Sequence, residues 1–116
     1  MPLTKDTIYS GSRDLGGRTV GVVGLARSGV ACVRFLADHG ATVIALDAKP
    51  VHALPPATRE AVSRAAHVAA PYVALSDLPP VDMLVVSPGV PSDVPLLQQA
   101  RAAQVEVVGE VELAYR

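Results

Sequence analysis

The most informative stretch of the sequence runs Thr19-Val20-Gly21-Val22-Val23-Gly24-Leu25-Ala26-Arg27-Ser28-Gly29. Its first half is apolar and β-branched, which favours a buried central strand of a parallel sheet. Gly24 stands where such a strand must turn sharply, and Gly29 stands where a following helix must approach the strand closely. The stretch therefore predicts a strand, a glycine turn and a helix in immediate succession.

The start of this predicted helix is a candidate anion site. Backbone N–H groups in the first turn of a helix carry partial positive charge and have no intrahelical partner, so they favour a phosphate. Asp47 lies 23 residues after Gly24, directly after the apolar run of residues 43–46. That is about the distance expected for an acid that reaches a ribose hydroxyl. Together these features indicate a nucleotide-binding or nucleotide-sugar-binding domain.

The glycine pattern departs from G-x-G-x-x-G at its middle position, which is Ala26. The stretch leaves three alternatives open. The glycines could serve strand–helix packing alone. The same residues, with Asp47, would equally suit an NAD(P)-binding domain of an oxidoreductase. A non-catalytic module is also compatible, because a fold alone does not specify a function.

Composition narrows the class of protein. The chain has 116 residues, of which 50% are hydrophobic and 18% charged, as is typical of one folded globular domain. A net charge of −1 gives no overall attraction to nucleic acid or to an anionic membrane. No run approaches the roughly 18 apolar residues of a membrane-spanning helix, and residues 1–17 lack the pattern of a signal peptide. We therefore expect a cytoplasmic protein.

Neither thiol nor metal chemistry is indicated. Cys32 is the only cysteine and falls within the predicted first helix, so we interpret it as a small buried hydrophobic residue. Glu110 and Glu112 are interpreted as acidic residues at the start of a helix. The three histidines have no cysteine or carboxylate at ligand spacing: His39, His52 and His67.

Strands and helices alternate along the whole chain. The predicted elements are a strand over 19–24, a helix over 28–39, a strand over 41–46, a helix opened by Leu54-Pro55-Pro56 that continues to 66, a short strand within 68–75, a loop over 76–80, a strand over 83–86, a helix over 93–103 capped by Ser92, a strand over 105–108 and a last helix from 109 onward. This order predicts an α/β fold, a Rossmann-like open sheet of five mostly parallel strands with helices on both faces. Ligands of such sheets bind beyond the carboxyl ends of the strands.

Three segments at those strand ends resemble the Mur ligases, and in particular the members that attach D-glutamate. They are the stretch over residues 19–29, Val85-Val86-Ser87-Pro88-Gly89-Val90-Pro91, and Val107-Val108-Gly109-Glu110-Val111-Glu112-Leu113. Their order and separations match the family, and they span nearly everything from Arg18 onward. Each segment alone is a weak match, but the three together are fairly specific for this family.

The resemblance implies a cytoplasmic ligase of peptidoglycan synthesis with three domains. The N-terminal domain holds the UDP part of UDP-N-acetylmuramoyl-L-alanine, the central domain holds ATP and Mg, and the C-terminal domain helps to bind D-glutamate. In the implied reaction, ATP phosphorylates the substrate carboxylate and the amine of D-glutamate then attacks the acyl phosphate, releasing ADP and phosphate.

The resemblance also implies which residues meet the UDP group. The first helix start would bind the diphosphate, the segment after the second strand would face the uridine, and the Ser-Pro-Gly segment would line the same pocket. Where the family often has a hydroxyl or an arginine after the aspartate, this chain has Ala48 and Lys49. The implied substrate-binding residues are Leu25, Ala26, Arg27, Ser28, Gly29, Asp47, Ala48, Lys49, Ser87, Pro88 and Gly89.

No G-x-x-x-x-G-K-[ST] loop for ATP phosphates occurs in the sequence. In the family that loop follows shortly after the position at which this chain stops. We therefore expect residues 1–17 to be a leader, residues 18–116 to be the UDP-substrate-binding domain, and the chain alone to be inactive as a ligase, with no catalytic residue and no cofactor of its own.

Overall fold

The computed structural model describes residues 17–71, 74–91 and 93–110. The elements in chain order are β1 Thr19–Val23, α1 Arg27–Asp38, β2 Thr42–Leu46, a 3-10 turn Val51–Ala53, α2 Pro56–Val62, β3 His67–Ala69, a 3-10 turn Leu75–Asp77, β4 Met83–Val86, α3 Pro95–Ala102 and β5 Glu106–Gly109. The predicted leader up to residue 16, the predicted cap Ser92 and the last helix beyond Glu110 lie outside the described residues.

The five strands form one sheet in the order β3-β2-β1-β4-β5, and every neighbouring pair is parallel. Strand β1 lies at the centre, with Val20 opposite Val43 on β2 and Met83 on β4. The chain builds outward from β1 first through β2 to β3, and then through β4 to β5. The predicted Rossmann-like α/β fold is confirmed.

Both faces of the sheet are covered by helices, because alternate residues of the central strands point to opposite sides. One face packs on α1 and α2, and the other packs on α3. The first core contains Val20, Val22, Val43, Val85, Val33, Leu36 and Val62. The second contains Val23, Ile44, Leu46, Leu84, Leu96, Leu97 and Ala100.

The predicted second helix ends four residues too late, since α2 stops at Val62 rather than at 66. The hydroxyl of Ser63 donates to the Glu60 carbonyl oxygen, and the N–H of Ala66 donates to Val43 on β2 at 2.9 Å. The backbone therefore leaves the helix to join the sheet, which local helix propensity does not reveal.

The other element boundaries also shift. The third strand occupies 67–69 instead of lying within 68–75, and Leu75–Asp77 is a 3-10 turn where the prediction had a loop from 76. Helix α3 begins at Pro95 rather than at 93, because proline at the first helical position has its φ already set for a helix. Helix α1 begins one residue earlier than predicted, and β5 ends one residue later.

The glycine at the start of α1 is a steric requirement of this fold. A Cβ at Gly29 would lie 1.9 Å from the carbonyl oxygen of Gly24, which is far inside van der Waals contact. We expect Gly29→Ala to lower the free energy of unfolding by about 1–3 kcal/mol or more, because the helix must move off the turn. Urea denaturation measures this change.

Gly89→Ala is the matched control. A Cβ at Gly89 meets nothing within 4 Å, so its effect should stay within about 0.5 kcal/mol. Equal unfolding free energies for the two variants would contradict the close packing of α1 on the turn.

Candidate functional site

The turn between β1 and α1 is held in place from several directions. Gly24 has φ +94, a conformation that L side chains rarely adopt, and its N–H donates to the Leu46 carbonyl at 2.8 Å. A Cβ there would lie 2.9 Å from atoms of both Ser87 and Val90. Glycine is therefore required at this position both by the backbone conformation and by the lack of space for a side chain.

The first turn of α1 is open to an anion. Its N-cap is Ala26, with extended backbone at φ −72 and ψ −177, and no side chain caps the helix. No acidic residue stands in the first turn, and Ala26, Arg27 and Ser28 are exposed. Because the first N–H groups of a helix lack intrahelical acceptors, they are available to an anionic group.

Asp47 organises the loop beside that helix start. Its Oδ2 accepts the N–H of Leu25 at 2.7 Å and its Oδ1 accepts the N–H of Lys49 at 2.9 Å. The carboxylate thus ties the turn after β1 to the turn after β2. Each oxygen keeps a further lone pair that is able to accept a hydrogen bond from a ribose hydroxyl. That contact stays a prediction.

A cleft of about 630 Å³ opens between α1 and the segment that leads into α2. Five of the residues predicted for the site line it: Leu25, Ala26, Arg27, Asp47 and Lys49. The other predicted residues do not line this cleft: Ser28, Gly29, Ala48, Ser87, Pro88 and Gly89. The helix start and the segment after β2 therefore come together, as the sequence analysis expects, whereas the Ser-Pro-Gly segment lies outside the cleft.

The cleft also contains residues that sequence reasoning missed. Arg34 lines the cleft two helical turns beyond Arg27. The spacing of these two charges along the predicted helix is the signal by which the sequence would have indicated Arg34. The cleft therefore has three exposed cations, which are Arg27, Arg34 and Lys49. Within residues 17–71, 74–91 and 93–110, none of the three forms an ion pair with a carboxylate. The cleft is therefore electropositive, although the chain as a whole is not.

Thr58 on α2 is the second missed residue, and no sequence signal marked it. It lines the cleft and is only 9% exposed. Its hydroxyl has no hydrogen-bond partner among the residues that the structure describes. A buried hydroxyl without a partner is costly, so this group is suited to bind a polar atom of a ligand. Val30, Leu54 and Pro55 supply apolar wall beside it.

Ser87 lies directly behind the turn rather than in the cleft. It is 5% exposed, and its Oγ lies 3.0 Å from the Gly24 carbonyl oxygen and 2.7 Å from Glu110 Oε1. Pro88 and Gly89 are exposed at the same edge of the sheet. Whether they line a substrate pocket stays a prediction.

Among the described residues, no group of three or more His, Cys, Asp and Glu side chains is placed to hold a metal ion. His39 packs on the Phe35 ring with centroids 4.2 Å apart, and its Nδ1 lies 2.7 Å from the Phe35 carbonyl oxygen.

In the part of the chain that the structure describes, no helix is long and apolar enough to cross a membrane.

The fold and this edge of the sheet define a class of protein: a parallel α/β domain in which a glycine turn leads from the central strand into an uncapped helix N-terminus. The family model for Mur ligase MurD-like, N-terminal domain, matches residues 18–109. The chain belongs to this family.

The curated relatives agree with that assignment. The chain is 43% identical over 103 residues to a protein of Geobacter metallireducens and 47% identical over 102 residues to one of Myxococcus xanthus. A third relative, from Caldicellulosiruptor saccharolyticus, is 38% identical over 108 residues. Each is named UDP-N-acetylmuramoylalanine--D-glutamate ligase.

These matches cover 88–89% of this chain but only 22–23% of each relative. The chain thus spans less than a quarter of the length of the curated relatives that it matches. The similarity is to ligases, and none of the three is named as an oxidoreductase.

Cys32 is half-buried on α1, and its surroundings disfavour the thiolate form. Burial, and then the negative charge of Glu110, raise the pKa of its thiol from the ordinary value of 9.0 to about 12. Because the thiolate is the reactive form, we expect a disulfide reagent at pH 8 to modify the native chain at least about a hundredfold more slowly than the urea-unfolded chain. Equal rates would contradict the burial of this thiol.

The same pKa change makes stability depend on pH. As pH rises above 9, the unfolded chain loses its thiol proton first, since the folded pKa is the higher one. The contribution of Cys32 to the free energy of unfolding is therefore complete below pH 9 and declines towards pH 12. Cys32→Ala is the control that separates this decline from the titration of lysine and tyrosine, and urea denaturation across this pH range measures it.

Proposed function

We propose that this chain binds the UDP part of UDP-N-acetylmuramoyl-L-alanine within a ligase that adds D-glutamate during peptidoglycan synthesis in the cytoplasm. The observation that carries the proposal is the uncapped N-terminus of α1, which opens onto an electropositive cleft in a chain of this family. In this proposal residues 18–116 form the substrate-binding domain.

The diphosphate is assigned to the first turn of α1. The backbone N–H groups there and the guanidinium of Arg27 are donors, and both suit phosphate oxygens. Ala26 leaves the backbone accessible, because its side chain ends at Cβ. The Asp47 carboxylate keeps this turn in shape through its hydrogen bond with Leu25.

The uridine is assigned to the cleft between Asp47 and α2. A pyrimidine base has apolar faces and polar edges, and the cleft offers apolar walls at Leu54 and Pro55 together with the buried hydroxyl of Thr58. Lys49 lies at the rim, where it faces solvent. Ala48, Ser87, Pro88 and Gly89 are proposed to bound the site without lining this cleft.

ATP and Mg are assigned to the central domain of the longer protein. This sequence has no G-x-x-x-x-G-K-[ST] loop to hold ATP phosphates. The residues that line the cleft do not supply its equivalent.

Calorimetric titration tests the binding role. UDP-N-acetylmuramoyl-L-alanine and UDP should bind saturably, and NADH should not. At 100 times the dissociation constant, the ligand should raise the free energy of unfolding by about 2.7 kcal/mol, which a melting shift will report. Binding of NADH alone would overturn the proposal in favour of an oxidoreductase domain.

A charge-reversal pair localises the site. Arg27→Glu should weaken UDP binding by about tenfold or more, because it replaces a phosphate donor with a repelling charge. Arg59→Glu is the control, since Arg59 is also exposed, on α2, but does not line the cleft. Equal losses in both variants would mean that only net charge matters.

Catalysis is expected to need the rest of the ligase. With ATP, Mg, D-glutamate and UDP-N-acetylmuramoyl-L-alanine, this chain should release no ADP above background in a coupled assay. A full-length relative assayed in parallel is the positive control. ADP release that depends on D-glutamate would contradict the division of roles between domains.

A further inference from the structure

The proposed function gives no role to Arg34, although this residue lines the cleft. Arg27 is assigned to the diphosphate and Lys49 lies at the rim, whereas Arg34 lies two helical turns further along α1. The helix rises about 10 Å between the two arginines. A ribose and a pyrimidine ring span about the same length, from the phosphate to the far edge of the base. Arg34 is therefore level with the base when Arg27 contacts the phosphate.

The carboxylates nearest to Arg34 are engaged elsewhere. Asp38 follows Arg34 by one helical turn, which is the spacing of an ion pair along a helix, but it pairs instead with Arg64 after α2. Both oxygens of Asp47 accept backbone N–H groups. Among the residues that the structure describes, the side chain of Arg34 has neither an ion pair nor a hydrogen bond. Its guanidinium donors are therefore available to a ligand in the cleft.

The ion pair of Asp38 and Arg64 also relates the two walls of the cleft. Helices α1 and α2 cover the same face of a parallel sheet and run in the same direction, and the pair joins them beyond Arg34. Thr58 precedes Arg64 on α2 much as Arg34 precedes Asp38 on α1. The buried hydroxyl of Thr58 and the guanidinium of Arg34 therefore lie towards the same end of the cleft, the end away from the first turn of α1.

These two polar groups differ in what they can bind. A guanidinium only donates hydrogen bonds, whereas a hydroxyl both donates and accepts them. Uracil and cytosine differ at position 4 of the ring, where uracil carries a carbonyl oxygen that accepts and cytosine carries an amino group that donates. Position 4 lies opposite the ring nitrogen that carries the ribose, so it is the part of the base farthest from the sugar. A guanidinium at that place pairs with uracil and opposes cytosine.

We propose that Arg34 is a specificity-determining residue that selects uracil over cytosine by donating a hydrogen bond to the carbonyl oxygen at position 4. The proposal rests on the proposed function, because that function places the uridine in this cleft. A site built to make a hydrogen bond rejects an analogue that leaves its donor unpaired. Thr58 has a different role, since its hydroxyl accepts from the N3–H of uracil and equally donates to the N3 of cytosine. Thr58 therefore adds affinity without choosing between the bases.

Calorimetric titration of the full 116-residue chain with UDP and with CDP tests the proposal. The two ligands share the ribose and the diphosphate, so the ratio of their dissociation constants reports on the base alone. The wild-type chain should bind UDP about tenfold or more tightly than CDP. Equal constants, or tighter binding of CDP, overturn this inference and leave the proposed function standing. Absence of binding by either nucleotide overturns both.

Variants of Arg34 show whether this side chain makes the choice. Arg34→Gln presents both a donor and an acceptor, so it should bind UDP and CDP with nearly equal constants. Arg34→Glu presents acceptors only and should reverse the preference, because a carboxylate accepts from the cytosine amino group. Arg34 is exposed, so neither change disturbs the core. Arg59→Gln, at an exposed position of α2 outside the cleft, is the control and should keep the wild-type ratio. A wild-type ratio in Arg34→Gln overturns the proposal.

Thr58→Val separates affinity from selectivity. It removes the hydroxyl and keeps the branched shape, so it should weaken UDP and CDP by a similar factor, about threefold to tenfold, and leave their ratio unchanged. Because the hydroxyl has no partner among the described residues, the urea midpoint of the variant should be no lower than that of wild type, which shows that the loss is one of binding. Unchanged affinities overturn the role of Thr58. A ratio that falls as far as in Arg34→Gln overturns the division of roles between the two residues.

Discussion

Helix α1 starts so close to the turn after β1 that a Cβ on Gly29 would lie 1.9 Å from the Gly24 carbonyl oxygen. This contact sets the height of the helix above the sheet, and it aims the first-turn N–H groups at the carboxyl edge of the central strand. Because neither residue has a side chain, other groups can reach the turn itself. Ser87 does so from the end of β4, so the same close approach that seats the helix also connects the turn to a neighbouring strand.

The carboxyl edge of the sheet is tied together by polar groups from four strands. Asp47 after β2 holds the N–H of Leu25, Ser87 after β4 lies against Gly24, and Glu110 after β5 reaches Ser87. Apolar packing positions the strands, and these few hydrogen bonds then set the shape of the loops between them. A site on loops can be precise in this way, because each loop is anchored to a strand end that the core has already placed.

Positive charge in this protein is concentrated around one cleft. The net charge is −1, yet Arg27, Arg34 and Lys49 surround one cleft, and the apolar wall beside them gives a ligand both a charged end and an uncharged end to recognise. A nucleoside diphosphate sugar has this division between phosphate and base. In the proposed function, this member of the MurD-like N-terminal family holds the substrate, and the chemistry is supplied elsewhere in the longer protein.

The sequence by itself determined the alternation of strands and helices, the central position of the 19–29 stretch and the meeting of the helix start with Asp47, because apolar period and glycine spacing are local properties. Tertiary structure alone decided where α2 ends, since a hydrogen bond from Ala66 to β2 outweighs the local preference for helix. It also decided that Thr58 faces the cleft and that Ser87 lies behind the turn. Both placements depend on how distant elements pack, and no pattern along the chain encodes which neighbour a buried hydroxyl will meet.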